Sequence, residues 1–195
     1  FLIKIYYDIW DQFIELNPNC RMVIATNGTT LNKRAKSILE KGNFHINLSI
    51  DSLIPERYSE IRVNGNLEKV LENFLYFKEY CQTNDRSICI MINPMRNNWE
   101  EMPAFVNFCN DHNVHLWFNS IMYPEDLSLW KLPYEELKEI YAKLSSETFE
   151  YKSGGKKNIY KYNVETYKNL VFNQIKTWMD DAQQRASDKG KTEKN

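Results

Sequence analysis

At 195 residues the chain is long enough for one domain with a sizeable core. Hydrophobic residues make up 43% of it, charged residues 26%, and the formal net charge is −1. That balance is ordinary for a globular protein and excludes a sequence-independent nucleic-acid binder, which carries a basic excess. No apolar run approaches the roughly 20 residues that span a membrane, and no secretory pattern opens the sequence, so the expected compartment is the cytoplasm.

Taken in chain order, helical and strand-like spacings alternate. Residues 1–17 carry Ile5, Ile9, Phe13 and Leu16 at helical spacing, ended by Asn17-Pro18. RMVIATNG (21–28) is a short β-branched run stopped by Asn-Gly. Residues 30–42 read as a helix closed by Gly42, and FHINLSID (44–51) as a strand. After a loop containing Pro55, Asn66 can cap a helix whose Leu67, Val70, Leu71, Phe74 and Phe77 line one face. SICIMINPM (87–95) is a third strand. A helix that begins between Asn98 and Pro103 runs to about Asn113, and VHLWFNSIM (114–122) is the fourth strand.

Beyond Pro124 the pattern turns helical, with Leu137, Ile140, Tyr141 and Leu144 forming a stripe between Pro133 and about Ser146. Residues 151–162, rich in Gly, Lys and Tyr, read as a loop. Roughly 163–182 form a last amphipathic helix, and the polar tail at 183–195 is expected to be disordered. Strands alternating with helices imply βαβ units and a parallel sheet. The expected fold is therefore α/β, with about four βα units and a helical C-terminal extension. No GxGxxG or Walker-type loop is present, so the flat nucleotide-binding sheets lose their usual signature.

The cysteines Cys20, Cys81, Cys89 and Cys109 include no CxxC pair and read as reduced residues. His112 and His115 fall at a helix-to-strand connection, where no metal role is expected. The strand ends are more informative, because parallel β/α folds place ligands at the C-terminal ends of their strands. Those ends read Thr26-Asn27-Gly28, Ser49-Ile50-Asp51, Asn93 and Asn119-Ser120. Turn-forming preference explains any one of them. It does not explain Asn47, Ser49 and Asp51, which alternate with Ile46, Leu48 and Ile50 and would cost free energy if buried without partners. A polar ligand against that face resolves the conflict. Arg62, in the loop after it, can form a bidentate pair with a carboxylate.

TNG, then LSIDS, then YSEIRVNGNLEKVLEN resembles the middle of a radical S-adenosylmethionine (radical SAM) enzyme. That family runs as a strand ending TNG, a strand ending S-[IL]-D, an arginine before a glycine, and a helix of the pattern fe-x-v-x-x-n. The resemblance implies a partial parallel β/α (TIM-like) barrel over residues 1–122, followed by a helical extension at 123–182. It implies S-adenosylmethionine at the strand C-termini, a 4Fe–4S cluster that reduces it to a 5′-deoxyadenosyl radical, and an electron donor. Carried over by position, Ser49 contacts the amino-acid or ribose end of the cofactor and Asp51 supports it. Arg62 pairs with the methionyl carboxylate, Thr26 and Asn27 lie on the pocket floor, and Asn93 meets the ribose. Adenine packs around Ile121 and Met122.

The family's CxxxCxxC loop and GGEP stretch are absent. In many members GGEP is followed by Phe-Leu, as in Phe1-Leu2 here, so the expectation is a chain that starts just after that motif. Such a chain lacks the cluster ligands and is inert alone. Its substrate, a small molecule or a peptide, is not legible. A cluster-less β/α module that binds a nucleotide-like ligand or a protein partner is the alternative. An unrelated β/α enzyme with Asp51 as general base is a third reading.

Overall fold

The computed structural model describes residues 3–192, with side chains described to residue 188. Phe1-Leu2 and the last three residues of the tail lie outside the described residues. The chain forms two compact units that divide at Met91–Ile92.

β1 (Arg21–Thr26), β2 (Asn43–Ser49) and β3 (Ile88–Ile92, whose last residue falls in the second unit) are the strands of the first unit. β2 pairs in parallel with β1 on one side and β3 on the other, with Ile24 opposite Ile46 and Ile46 opposite Ile88. Helices α1 (Ile5–Leu16), α2 (Lys33–Lys41), α3 (Pro55–Ile61) and α4 (Leu67–Thr83) belong to the same unit. Asn32 and Asn66 cap α2 and α4 by accepting the backbone N–H of Ala35 (2.9 Å) and Lys69 (2.8 Å). Phe44, Ile46, Leu48 and Ile50 are all 0% exposed. Each such side chain contributes about 1.5–3 kcal/mol of burial.

Two expectations need correction here. The loop containing Pro55 is a helix: proline sits at its N-terminal end, and Ser52 accepts the Ile54 N–H just before it. The apolar spacing of α1 is helical, as expected, but Ile5, Phe13 and Leu16 are exposed and Tyr7 is the buried residue. Trp10 turns the helix onto the unit through an edge contact with Phe44, ring centres 5.8 Å apart.

The second unit holds α5 (Met102–His112), β4 (His115–Phe118), α6 (Tyr134–Ser145), α7 (Lys157–Asn169), a π-helical turn (Leu170–Ile175) and α8 (Lys176–Thr192). Asn113 ends α5 in the left-handed region at φ 54°, and its carboxamide oxygen accepts the Lys156 N–H ahead of α7. The loop expected at 151–162 thus gives way to helix from Lys157. Helix also replaces the disordered tail as far as Thr192. Residues 183–188 bury no side chain, which accounts for the low hydropathy, while Ala, Gln, Arg and Lys remain good helix formers. The boundary expected at 122/123 remains a proposal.

β4 is tied to its surroundings by side chains as much as by a ladder. Within this unit the Asn119 N–H donates to Ile92 O (2.8 Å), so the backbone groups of odd-numbered residues in this segment point toward Ile92. Even-numbered ones face α7. There Asn163, 0% exposed, accepts the Leu116 N–H (2.8 Å) and donates to Val114 O (2.9 Å), as a neighbouring strand would. Replacing Asn163 by Leu orphans both groups, and urea unfolding is expected to show a loss of about 2–4 kcal/mol. A loss below about 0.5 kcal/mol would mean that the edge does not need this carboxamide.

Candidate functional site

β2 divides its side chains by parity. Phe44, Ile46, Leu48 and Ile50 form the helix-covered face, and His45, Asn47 and Ser49 form the other, half-buried one. The parallel register extends that second face: Ala25, Asn47 and Cys89 stand side by side, as do Ser49 and Met91. His45 is committed, because its Nδ1 accepts the Ser87 N–H (2.9 Å). Burial first, then Arg21 and Arg86, holds its pKa below the usual histidine value, which keeps that nitrogen free to accept. Asn47 and Ser49 differ, since neither side chain has a hydrogen-bond partner among the described residues.

Just past the strand, Asp51 and Ser52 are buried. Asp51 is only 3% exposed in its side chain, and a carboxylate so placed needs a partner. Arg62 supplies it, donating from Nε (2.8 Å) and from one terminal nitrogen to the same oxygen, Asp51 Oδ2. A guanidinium has five N–H donors, so the fork held by Asp51 keeps others for a second anion. The Arg62 side chain is 33% exposed, which leaves it reachable.

The turn behind Arg62 is built to tight tolerance. The Gly65 N–H donates to Arg62 O (2.5 Å), and Asn64 adopts φ 62°. A Cβ on Gly65 would fall 2.6 Å from Arg62 O, 2.8 Å from Tyr58 Cε1 and 2.9 Å from Arg62 Cβ. Tyr58 and Arg62 are four apart and share a helix face. Tyr58 is fully buried, and its hydroxyl has no hydrogen-bond partner. Burial raises its pKa, with Arg62 opposing and Asp51 adding.

The remaining expected residues separate. The Thr26 side chain lies on the Leu48 side of the sheet, opposite Asn47 and Ser49, and its hydroxyl accepts the Gly28 N–H (3.2 Å). Asn27 is exposed and accepts from Thr29. Both border a cavity of about 570 Å³ together with Tyr6 and Trp10 of α1. Asn93 belongs to the second unit, where its carbonyl accepts from Asn98 Nδ2 (3.0 Å).

One residue went unassigned. Asn73, 5% exposed on the apolar face of α4, donates to Gly28 O (2.7 Å) and locks the TNG turn. Gly28 itself is at φ 70° with Leu48 Cδ1 2.6 Å from where a Cβ would stand. The final n of the fe-x-v-x-x-n pattern, an asparagine on an apolar stripe, was the available signal.

The cysteines do not assemble. Cys81 and Cys109 are buried, and burial pushes the Cys81 and Cys89 thiols up to about 12. No group of three or more His, Cys, Asp or Glu that could hold a metal ion occurs among the described residues. These residues do not fit a 4Fe–4S cluster, which needs thiolates.

A family model described as the radical SAM superfamily matches residues 2–109. The chain belongs to that superfamily. S-adenosylmethionine and a 4Fe–4S cluster are the cofactors of the family. Among curated relatives, GTP 3′,8-cyclase of Limosilactobacillus fermentum is 31% identical over 140 residues, 69% of this chain and 40% of that protein. GTP 3′,8-cyclase of Lactiplantibacillus plantarum is 30% identical over 124 residues, 60% of this chain and 35% of that one. The chain thus spans about 40% or less of these relatives' length. The crystal structure of Streptococcus suis SuiB bound to S-adenosylmethionine aligns with TM-score 0.51 and 17% identity over 71% of this chain and 32% of that chain. That likeness shows the fold: the α/β architecture with a parallel sheet expected from the alternation, and the partial β/α barrel implied by the family resemblance, are borne out. No helix of the described residues is long and apolar enough to cross a membrane.

Two outcomes follow from this geometry. Gly65→Ala should displace the Arg62 turn and lower the thermal midpoint by several degrees, since the nearest obstacle is backbone; an unchanged midpoint would show that the turn gives way freely. Raised thiol and tyrosine pKa values also set a pH window. The folded chain keeps protons on Cys81 and Cys89 that the unfolded chain releases above about 9, so stability is full below pH 9 and falls as pH rises from 9 toward 12. The urea midpoint at pH 8, 9.5 and 10.5 reads this directly, and a flat profile would contradict it.

Proposed function

We propose that this chain supplies the S-adenosylmethionine half-site of a radical SAM enzyme. The observation that carries the reading is the pair Asn47 and Ser49. They are half-buried polar side chains without partners, on one face of β2, with an Asp51-held arginine just beyond the strand end. Half-exposed groups of this kind otherwise turn to water, and a ligand rich in hydroxyl, amine and carboxylate groups would replace it. In this reading Arg62 binds the methionyl carboxylate through the donors that Asp51 leaves over. Ser49 hydrogen-bonds the amino-acid or ribose end, and Asp51 fixes the arginine and lowers the local positive charge. Thr26 and Asn27 shape the TNG turn that borders the pocket.

A 4Fe–4S cluster would supply the electron for reductive cleavage of S-adenosylmethionine in this family. The thiols of this chain do not fit it, so we assign its ligation to residues other than these 195 and expect no turnover from this chain alone. The relatives named GTP 3′,8-cyclase favour a small nucleotide as the substrate class. The same thiol observation favours, as a second reading, a module that binds a nucleotide-like ligand without a cluster.

Calorimetric titration with S-adenosylmethionine separates the parts. Ser49→Ala should weaken binding several-fold. Arg62→Lys keeps the charge beside buried Asp51 but loses the planar fork, and should weaken binding at least about tenfold. Arg62→Ala is the poorer probe, because it strands a buried carboxylate and costs about 3–5 kcal/mol of stability. Equal affinity in wild type, Ser49→Ala and Arg62→Lys would sink the assignment.

A further inference from the structure

Of the two polar side chains on the open face of β2, only Ser49 has a role in the reading above. Asn47 lies two residues further back from the strand end on the same face, roughly 7 Å along the strand. A hydrogen bond spans about 3 Å, so the ligand atom that satisfies Ser49 does not also satisfy the Asn47 carboxamide. That carboxamide is half-buried and has no hydrogen-bond partner among the described residues.

The row around Asn47 is open and neutral. The register sets exposed Ala25 on one side of it and half-buried Cys89 on the other. A methyl group and a single sulfur leave the carboxamide free to be approached. Burial pushes the Cys89 thiol up to about 12, so it keeps its proton. His45, one row deeper again, is held below the usual histidine value and is neutral at pH 7. The carboxamide therefore offers a donor and an acceptor to a ligand in a row without charge.

The chemistry decides which ligand reaches it. Hydrogen transfer between two bound molecules needs the reacting atoms about 3–3.5 Å apart, so a substrate packs directly against the cofactor. With the cofactor's methionyl end at Arg62 and Ser49, the adjacent place on this face is the row of Ala25, Asn47 and Cys89.

We propose that Asn47 is a specificity-determining residue for the substrate, its carboxamide holding a neutral part of that molecule, hydroxyls or an amide edge, while any phosphate lies off this row. The inference rests on the assignment of Ser49 and Arg62 to S-adenosylmethionine.

The relatives named GTP 3′,8-cyclase make guanosine and GTP the probes. Each is titrated by calorimetry into the full chain saturated with S-adenosylmethionine. Guanosine should bind with a dissociation constant below about 1 mM. Asn47→Ala should weaken guanosine at least about fivefold, and GTP by a similar factor, because the lost hydrogen bonds belong to the part the two probes share. The same variant should weaken S-adenosylmethionine less than Ser49→Ala does. The proposal is overturned if guanosine does not bind the loaded wild-type chain, or if Asn47→Ala leaves its affinity unchanged. An effect on GTP alone overturns it too, since that marks a phosphate contact. So does a loss of S-adenosylmethionine affinity as large as that of Ser49→Ala, which makes Asn47 a cofactor contact. A wild-type chain that binds no S-adenosylmethionine fails earlier, at the half-site itself. Should Asn47→Ala not fold, the Asn47 side-chain amide signals of the wild type decide by NMR: guanosine must shift them, and unmoved signals overturn the proposal.

Discussion

The first unit depends on a single constraint, the period of two along β2. Once Phe44, Ile46, Leu48 and Ile50 are committed to the helix-covered side, where they are fully buried, the residues between them have no choice of face. A slip of one residue would bury Asn47 and Ser49 under α4 and expose four apolar side chains. That loss, several times the burial of one leucine, fixes the polar face as firmly as the apolar one. The candidate site is a consequence of the core.

What the core fixes on the strand, an ion pair fixes beyond it. Asp51 continues the parity of Asn47 and Ser49 past the end of β2. It is held by Arg62, and Arg62 by a turn that accepts only glycine at position 65. A buried carboxylate and a half-exposed arginine hold each other in an orientation that neither would keep alone. The arrangement preorganises donors toward a second anion and restricts side-chain freedom before any ligand arrives. The TNG turn is held by the same logic from another direction, with Asn73 of α4 reaching Gly28 O.

The second unit solves a different problem, a strand with a free side. Asn163 stands in for a missing neighbour on one rung and the helix covers the remainder, except where the π-helical turn leaves a cavity beside Phe118. Edge strands are hazards when open. Here the Asn163 carboxamide and the aromatic side chains Trp117 and Tyr162 blunt the edge.

Much of this was legible in the residues. Alternation in HINLSID announced a strand with two unlike faces, Asn66 announced the start of α4, and TNG, SID and the arginine before glycine announced the superfamily. These signals are local: a period, a cap, a turn residue. Other features were hidden because they depend on partners distant in the chain. The face that α1 buries, the pairing of Asp51 with Arg62, and the Asn73 and Asn163 carboxamides spent on backbone 45 to 49 residues away have no sequence period. Thr26 shows the limit most clearly. Its place beside Asn27 suggested the pocket floor, yet strand parity turns its side chain to the Leu48 side of the sheet. The sequence by itself determined the β/α order and the two faces of β2, because hydrophobic period and strand geometry act over neighbouring residues. Only the tertiary structure decided which polar groups are already satisfied and which remain for a ligand, because a hydrogen bond is settled by the atom that arrives opposite.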